Sequence, residues 1–312
     1  MAKSRGTKLS MPRGLLWAVV LLFFGALIGA LIQSACEQKQ SEAAPAAPQS
    51  VQPNGARPPQ AASGSIKKPS PVAPTAIVPT PERTAAKQST QPRVALIIDD
   101  LGQVDPALTS RLGALNIPMT VAVLPFLPHT RDSAHIARSS GMEIILHMPM
   151  EPIGYPGPGR NPGPGAVLFD QSEAEVRERV ASAMKDVPFA VGLNNHMGSR
   201  ITPDRVRMAW ILEEVKKTRW YFLDSRTEKD TVALEVAREL GIPALERKVF
   251  LDDSPDPAEM SHQWERAMAI AKQDGWVVII GHIHVGTLEF LEKAVPAARR
   301  EVVFVKAPEM AR

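Results

Sequence analysis

Residues 93–102 read RVALIIDDLG. Five apolar residues run without interruption from Val94 to Ile98, and two carboxylates, Asp99 and Asp100, come immediately after. A strand with one wet face alternates polar and apolar side chains. An unbroken apolar run is that of a strand covered on both faces, as in a parallel sheet flanked by helices. Further runs of the same kind recur downstream: MTVAVL (119–124), MEIIL (142–146), FAVGL (189–193), WYFL (220–223), VFL (249–251), WVVII (276–280) and VVFV (302–305). Helical patterns lie between them, over Ser172–Lys185, Thr202–Lys217, Asp230–Leu240 and Asp256–Asp274. Ser172 with Glu175 has the spacing of a capping box, and Thr202-Pro203 reads as an N-cap followed by proline at the first helical position. Strand and helix in alternation predict an α/β fold, a distorted parallel (β/α) barrel of about seven strands, with an open doubly wound sheet as the alternative. No GxGxxG comes after the first strand and no P-loop is present, which weighs against nucleotide-binding versions.

The polar residues at the end of each run carry the chemistry. VALII leads to Asp99-Asp100, MEIIL to His147, FAVGL to Asn194-Asn195-His196, WYFL to Asp224-Ser225-Arg226, VFL to Asp252-Asp253, and WVVII to Gly281-His282-Ile283-His284. In a parallel β/α fold all carboxyl ends lie at one face, where sites are assembled. A single Asp after a strand is ordinarily a turn or cap residue, and Asp252-Asp253 reads as a cap for the helix that begins near Pro257. Their joint occurrence is what marks a site. Two histidines and an aspartate form a mixed N/O donor set suited to Zn²⁺ or another first-row ion. No HExxH is present and the domain holds no cysteine, so the donors must come from separate strands. The Pro/Gly stretch IGYPGPGRNPGPG (153–165) lies beside this site, and its length marks either a functional loop, with Tyr155 placed to stack on a sugar, or a rigid cover.

Outside this region the sequence changes character. Residues 1–13 carry Lys3, Arg5, Lys8 and Arg13, and the uncharged run GLLWAVVLLFFGALIGALI beyond them has roughly the ~20 residues needed to cross a bilayer. The basic flank predicts a cytoplasmic tail (1–13), a single-pass inner-membrane anchor (14–33) and a domain facing the periplasm or cell exterior. A cleaved signal peptide, or a lipid on Cys36 after Ser34-Ala35, are alternatives with the same topology. Residues 34–92 are rich in Pro, Ala, Ser, Thr and Gln and are expected to form a disordered linker. The domain proper is then 93–312. The sole cysteine of the full chain, Cys36, excludes an intramolecular disulfide, and a net charge of +3 without a basic stripe argues against nucleic acid as a partner.

The motifs IIDDLG (97–102), ILHMPMEP (145–152), NNHMGSR (194–200), FLDSRT (222–227) and GHIHVGTL (281–288) together resemble the divergent polysaccharide deacetylase family, distant relatives of the NodB-type carbohydrate esterases. The resemblance spans roughly Arg93 to Lys306. It implies a NodB-like barrel with a divalent metal, Zn²⁺ foremost, at the strand ends. It further implies Asp99 as catalytic base, Asp100, His147 and His196 as metal ligands, and His282 as general acid. His284 is the second candidate for that acid and otherwise a substrate contact. Arg200 or Arg226 would orient the base, and Asn194, Asn195, Asp224 and Tyr155 would line the substrate. The two histidines of the relatives stand on one short segment, whereas His147 and His196 belong to different strands, and Val285 stands where proline is expected. The implied reaction is hydrolysis of an N-acetyl amide on an envelope polysaccharide or peptidoglycan amino sugar. Two other readings are a non-catalytic barrel that binds glycan or protein, and another metal hydrolase such as a phosphodiesterase. The latter wants a second metal, for which Asp252-Asp253 and His284 would be the donors.

Overall fold

The computed structural model describes residues 91–312. The basic tail, the apolar run, Cys36 and nearly all of the Pro/Ala-rich segment lie outside the described residues. Among the described residues no helix is long and apolar enough to cross a membrane.

Among the described residues nine strands form one sheet in which every pairing is parallel. In chain order they are β1 (Arg93–Leu101), β2 (Thr120–Val123), β3 (Glu143–Met150), β4 (Gly192–Met197), β5 (Tyr221–Asp224), β6 (Ala244–Glu246), β7 (Val249–Phe250), β8 (Trp276–His282) and β9 (Val303–Val305). The path runs β6-β5-β4-β3-β2-β1-β8-β7, and β9 pairs with β1 off this path. β9 pairs with Arg93–Ala95 of β1, and β2 pairs with it from Ile97 onward. Seven α-helices among the described residues cover the sheet: α1 (Pro106–Gly113), α2 (Thr130–Ser139), α3 (Glu173–Asp186), α4 (Arg205–Lys216), α5 (Ala233–Glu239), α6 (Pro257–Asp274) and α7 (Val285–Ala298).

The expected barrel is therefore a half-barrel with eight strands on its path. Its ends, β6 and β7, do not pair with each other. Only Arg247 and Lys248 connect them. The Arg247 N–H donates to Asp224 O at 3.0 Å on one side, and the Lys248 N–H to Val278 O at 2.9 Å on the other. A three-residue β6 and a two-residue β7 are too short to close the cylinder.

Strand side chains alternate between two faces. On β1, Val94, Leu96 and Ile98 pack under the helices, while Ala95 and Ile97 face the inside of the curved sheet. The inner cluster adds Ala122, Ile145, Tyr221, Leu223, Leu245, Val278 and Ile280 from the other strands. Gly192 continues it without a side chain, because a Cβ there would stand 2.7–2.9 Å from the Tyr221 ring. Burial on both faces is what made the strands read as unbroken apolar runs.

Two helix starts match their sequence signals. Ser172 caps α3 in a full capping box with Glu175, and Asp256 caps α6 with Pro257 at its first position. The Thr202-Pro203 reading is corrected. Asp204 is the N-cap of α4, its carboxylate accepting from the Arg207 N–H at 2.8 Å, and Thr202 is buried in the preceding turn. The fourth strand is also shifted. It starts at Gly192 and includes Asn194, Asn195 and His196, while Phe189 and Val191 are exposed.

Candidate active site

The inner stripe of each long strand ends in a polar residue. Ala95 and Ile97 are succeeded at the same parity by Asp99, Ile145 by His147, Gly192 by Asn194 and His196, Tyr221 and Leu223 by Ser225, and Val278 and Ile280 by His282. The two-residue period that builds the interior thus carries five strand ends into one polar cluster. Parallel register aligns them: Asp99 stands opposite His282 and His147 opposite Asn194.

Asp100 has the wrong parity for this cluster. A β-bulge corrects it. Between Ile98 and Leu101 the register against β2 shifts, and Asp100 takes φ +67°, a left-handed conformation uncommon outside glycine. This kink lets two consecutive carboxylates enter the same site.

Asp100 Oδ1 lies 3.2 Å from His147 Nε2 and 3.0 Å from His196 Nδ1, and the two ring nitrogens are 3.1 Å apart. Donors sharing one first-row ion at about 2.0–2.2 Å stand roughly 2.9–3.5 Å from each other, so the triangle has the size of a metal face. Asp100 Oδ1 is buried with no hydrogen-bond partner, an arrangement costly for an acceptor unless a cation uses it. His147 Nδ1 lies 2.8 Å from Asn194 Oδ1, a contact that, with the proton on Nδ1, leaves the Nε2 lone pair for a metal. The residues fit a divalent metal. Among the described residues this is the one cluster of three such donors, so the second metal required by the phosphodiesterase reading finds no second site there.

Asp99 adjoins this triangle, its Oδ2 3.6 Å from His147 Nε2. Burial raises the Asp99 pKa, and His147 and His282 only partly offset it. Asp100 feels the same burial, but contacts from His147 and His196 outweigh it and hold this carboxyl well below its ordinary range. His282, opposite Asp99 in the β1–β8 register, is held by Asp252. The His282 backbone N–H donates to Asp252 Oδ2 at 2.7 Å, and Nδ1 lies 2.9 Å from Asp252 Oδ1. Thr287 Oγ1 donates to Asp252 Oδ2 at 2.6 Å. Burial alone would lower the His282 pKa, but the hydrogen bond and charge of Asp252, with help from Asp99 and Asp100, push it up to about 9. Phe250 and His284 stack on the His282 ring at 5.6 and 5.9 Å, fixing its plane.

Several expected site residues stand elsewhere. The Arg200 guanidinium bonds the buried Glu151 and lies over the Phe169 ring, clasping the base of the 153–165 loop. Arg226 pairs with Glu246 at 2.6 Å. Neither arginine contacts Asp99 among the described interactions; Asn194 does, through Nδ2 at 3.0 and 3.2 Å. Asn195 is buried and ties β4 to the β5 loop through Ser225 N, Met197 O and Thr227 Oγ1. Asp224 is fully buried, where it accepts from the Arg226 N–H and from Thr231 Oγ1. These two side chains shape the loop rather than face a ligand. Tyr155 lies half-buried in the Pro/Gly loop, and His284 is exposed at the N-cap of α7. The reading of Asp252 as a helix cap is corrected. The true cap, Asp256, leaves Asp252 free to serve His282, and the Asp256-Pro257 pair is the signal that separates the two roles.

Fold and site define a parallel α/β half-barrel whose strand ends gather three metal-type donors with the buried Asp99 carboxylate and His282. The model of the family described as divergent polysaccharide deacetylase matches residues 96–311, and the chain belongs to that family. The uncharacterized protein YibQ of Escherichia coli is 35% identical over 218 residues, covering 70% of this chain and 67% of its own. An uncharacterized protein of Haemophilus influenzae is 34% identical over 205 residues, 65% of this chain and 70% of its own. The crystal structure of an uncharacterized protein from Agrobacterium tumefaciens shares the fold, with a TM-score of 0.64 at 22% identity over 70% of this chain and 89% of that one.

Proposed function

We propose that this protein is a metal-dependent deacetylase that removes N-acetyl groups from an amino sugar of an envelope polysaccharide or peptidoglycan, and that its N-terminal apolar run tethers it to the inner membrane with the domain facing the periplasm or cell exterior. The observation that carries the reading is the convergence of three metal-type donors with the buried Asp99 carboxylate and with His282, which stands opposite Asp99 in the register and is held by Asp252. Family membership supports the reaction class. The basic flank and length of the apolar run support the location.

Asp100, His147 and His196 would hold the metal, which when bound supplies Lewis-acid activation of water and of the acetyl carbonyl. Asp99 takes the proton of the attacking water; its burial raises its basicity toward the range where a carboxylate base is effective. The water oxygen bonds to the acetyl carbon. His282, charged at neutral pH because of Asp252, gives its Nε2 proton to the sugar nitrogen as the C–N bond breaks. Acetate and a free amine leave, and solvent exchange returns the proton from Asp99 to His282.

The test is acetate release from N-acetylglucosamine oligomers and from peptidoglycan, with Asp99→Asn and His282→Ala alongside. A positioned acid or base contributes about 10²–10⁴-fold, so each variant should lose at least a hundredfold in kcat while keeping its metal. Equal activity in either variant would remove that residue from the mechanism.

A further inference from the structure

Asn194 bonds three side chains of the site, and neither the base nor the ligand role uses it. It is fully buried on β4, at the same parity as His196. Its Oδ1 lies 2.8 Å from His147 Nδ1. Its Nδ2 lies 3.0 and 3.2 Å from the two Asp99 oxygens and 3.2 Å from Ser225 Oγ. One carboxamide therefore touches both a metal ligand and the base.

We infer that Asn194 is a positioning residue that couples the metal site to the base, fixing the His147 tautomer with one end of its amide and the Asp99 carboxylate with the other. A carboxylate only accepts hydrogen bonds, so the amide nitrogen must face Asp99. The amide oxygen then faces His147, and an oxygen only accepts, so His147 Nδ1 must carry the proton. Nε2 is left as a lone pair aimed at the Asp100–His196 face. The chain of donors runs in one direction and cannot be reversed without placing two acceptors against each other at Asp99. An arginine does not serve here, because Arg200 and Arg226 are committed to Glu151 and Glu246. The register of β3 against β4, with His147 opposite Asn194, makes this contact a consequence of the sheet itself.

The inference rests on the deacetylase reading for the role of Asp99, but its test does not need activity. The His147 ring of the metal-free full chain is examined by ¹⁵N NMR at a pH alkaline enough for the ring to be neutral, and zinc affinity is measured by chelator competition, in the parent, in Asn194→Leu and in Asn195→Ala. Asn195 is an equally buried amide that touches neither His147 nor Asp99, so it controls for general loosening. The parent ring should be protonated on Nδ1. Asn194→Leu should move the proton toward Nε2 and weaken zinc by 10–100-fold, the usual consequence of losing a ligand's outer partner. Asn195→Ala should change neither. A parent ring protonated on Nε2, or an Asn194→Leu protein with unchanged tautomer and affinity, would overturn the inference. Should Asn194→Leu not fold, the parent tautomer still decides. A parent that holds the Nδ1 tautomer yet binds no zinc would uphold the positioning contact and sink the metal-dependent reading instead.

Discussion

Replacing Asp252 by Asn removes a negative charge from the His282 pair while keeping a side chain of the same shape. Asp252 takes the His282 backbone N–H on one oxygen and Nδ1 on the other, so the amide keeps one of these bonds and turns its NH2 on the other, while Phe250 and His284 still stack on the ring. The loss is of the interaction that holds the His282 pKa near 9 against burial. Without it the ring should titrate at or below the ordinary value of about 6.5, a drop of roughly 2.5 units or more. At pH 7.5 the protonated fraction then falls from above about 90% to about 10%. The assay is an NMR titration of the His282 ring, then the pH profile of acetate release, whose alkaline limb should move down by the same interval. Stability obeys the same linkage. A raised histidine pKa contributes stability that is full below about 6.5 and is lost as pH rises through about 9. That shift corresponds to about 3 kcal/mol, discounted to roughly 2 because a quarter of the ring reaches solvent. Asp252→Asn should therefore cost about 2 kcal/mol more at pH 6 than at pH 10. A parent His282 that titrates near 6.5, or one whose pKa ignores the substitution, would refute the assignment of Asp252.

His147→Ala and His196→Ala should each abolish metal binding, measured by elemental analysis after reconstitution. Zinc affinity should fall as pH is lowered from above neutrality, since Asp99 and Asp100 raise the His147 pKa against burial and a proton then competes for the ligand; calorimetry at several pH values reads this. Gly192→Ala should destabilise the protein by about 1–3 kcal/mol in urea denaturation, because the new Cβ meets the Tyr221 ring at 2.7 Å. Arg200→Ala should loosen the 153–165 loop, seen as faster proteolysis there, and leave both limbs of the pH–rate profile in place, because its partner is Glu151 and not Asp99.

The architecture was legible because parallel strands covered on both faces write themselves as apolar runs, and VALII or WVVII admit few other readings. The ends of those runs were less legible. FAVGL looked like the fourth strand, but that strand's inner stripe turns polar at Asn194, and an apolar pattern cannot track a strand whose last residues line a site. β6 was invisible because three residues make no pattern. The site showed the same division. Asp99, Asp100, His147, His196 and His282 are readable from strand ends alone, and the structure brings them together. The contacts that organise them are not, because they depend on register and on a bulge. Nothing in the pair Asn194-Asn195 tells which amide faces inward. Only the parity set by Gly192 does, and that requires the strand to be placed correctly. The arginines were misjudged for a related reason: their partners, Glu151 and Glu246, lie on neighbouring strands and gave no local sign.

Acetate release by the purified full chain loaded with zinc, assayed on N-acetylated glucosamine oligomers and on peptidoglycan, tests the proposed chemistry most directly. The expected result is one free amine for each acetate, loss of both products on chelation, and their return when metal is restored. A zinc-loaded protein, with the ion held by Asp100, His147 and His196, that released no acetate from either substrate would contradict the proposed chemistry.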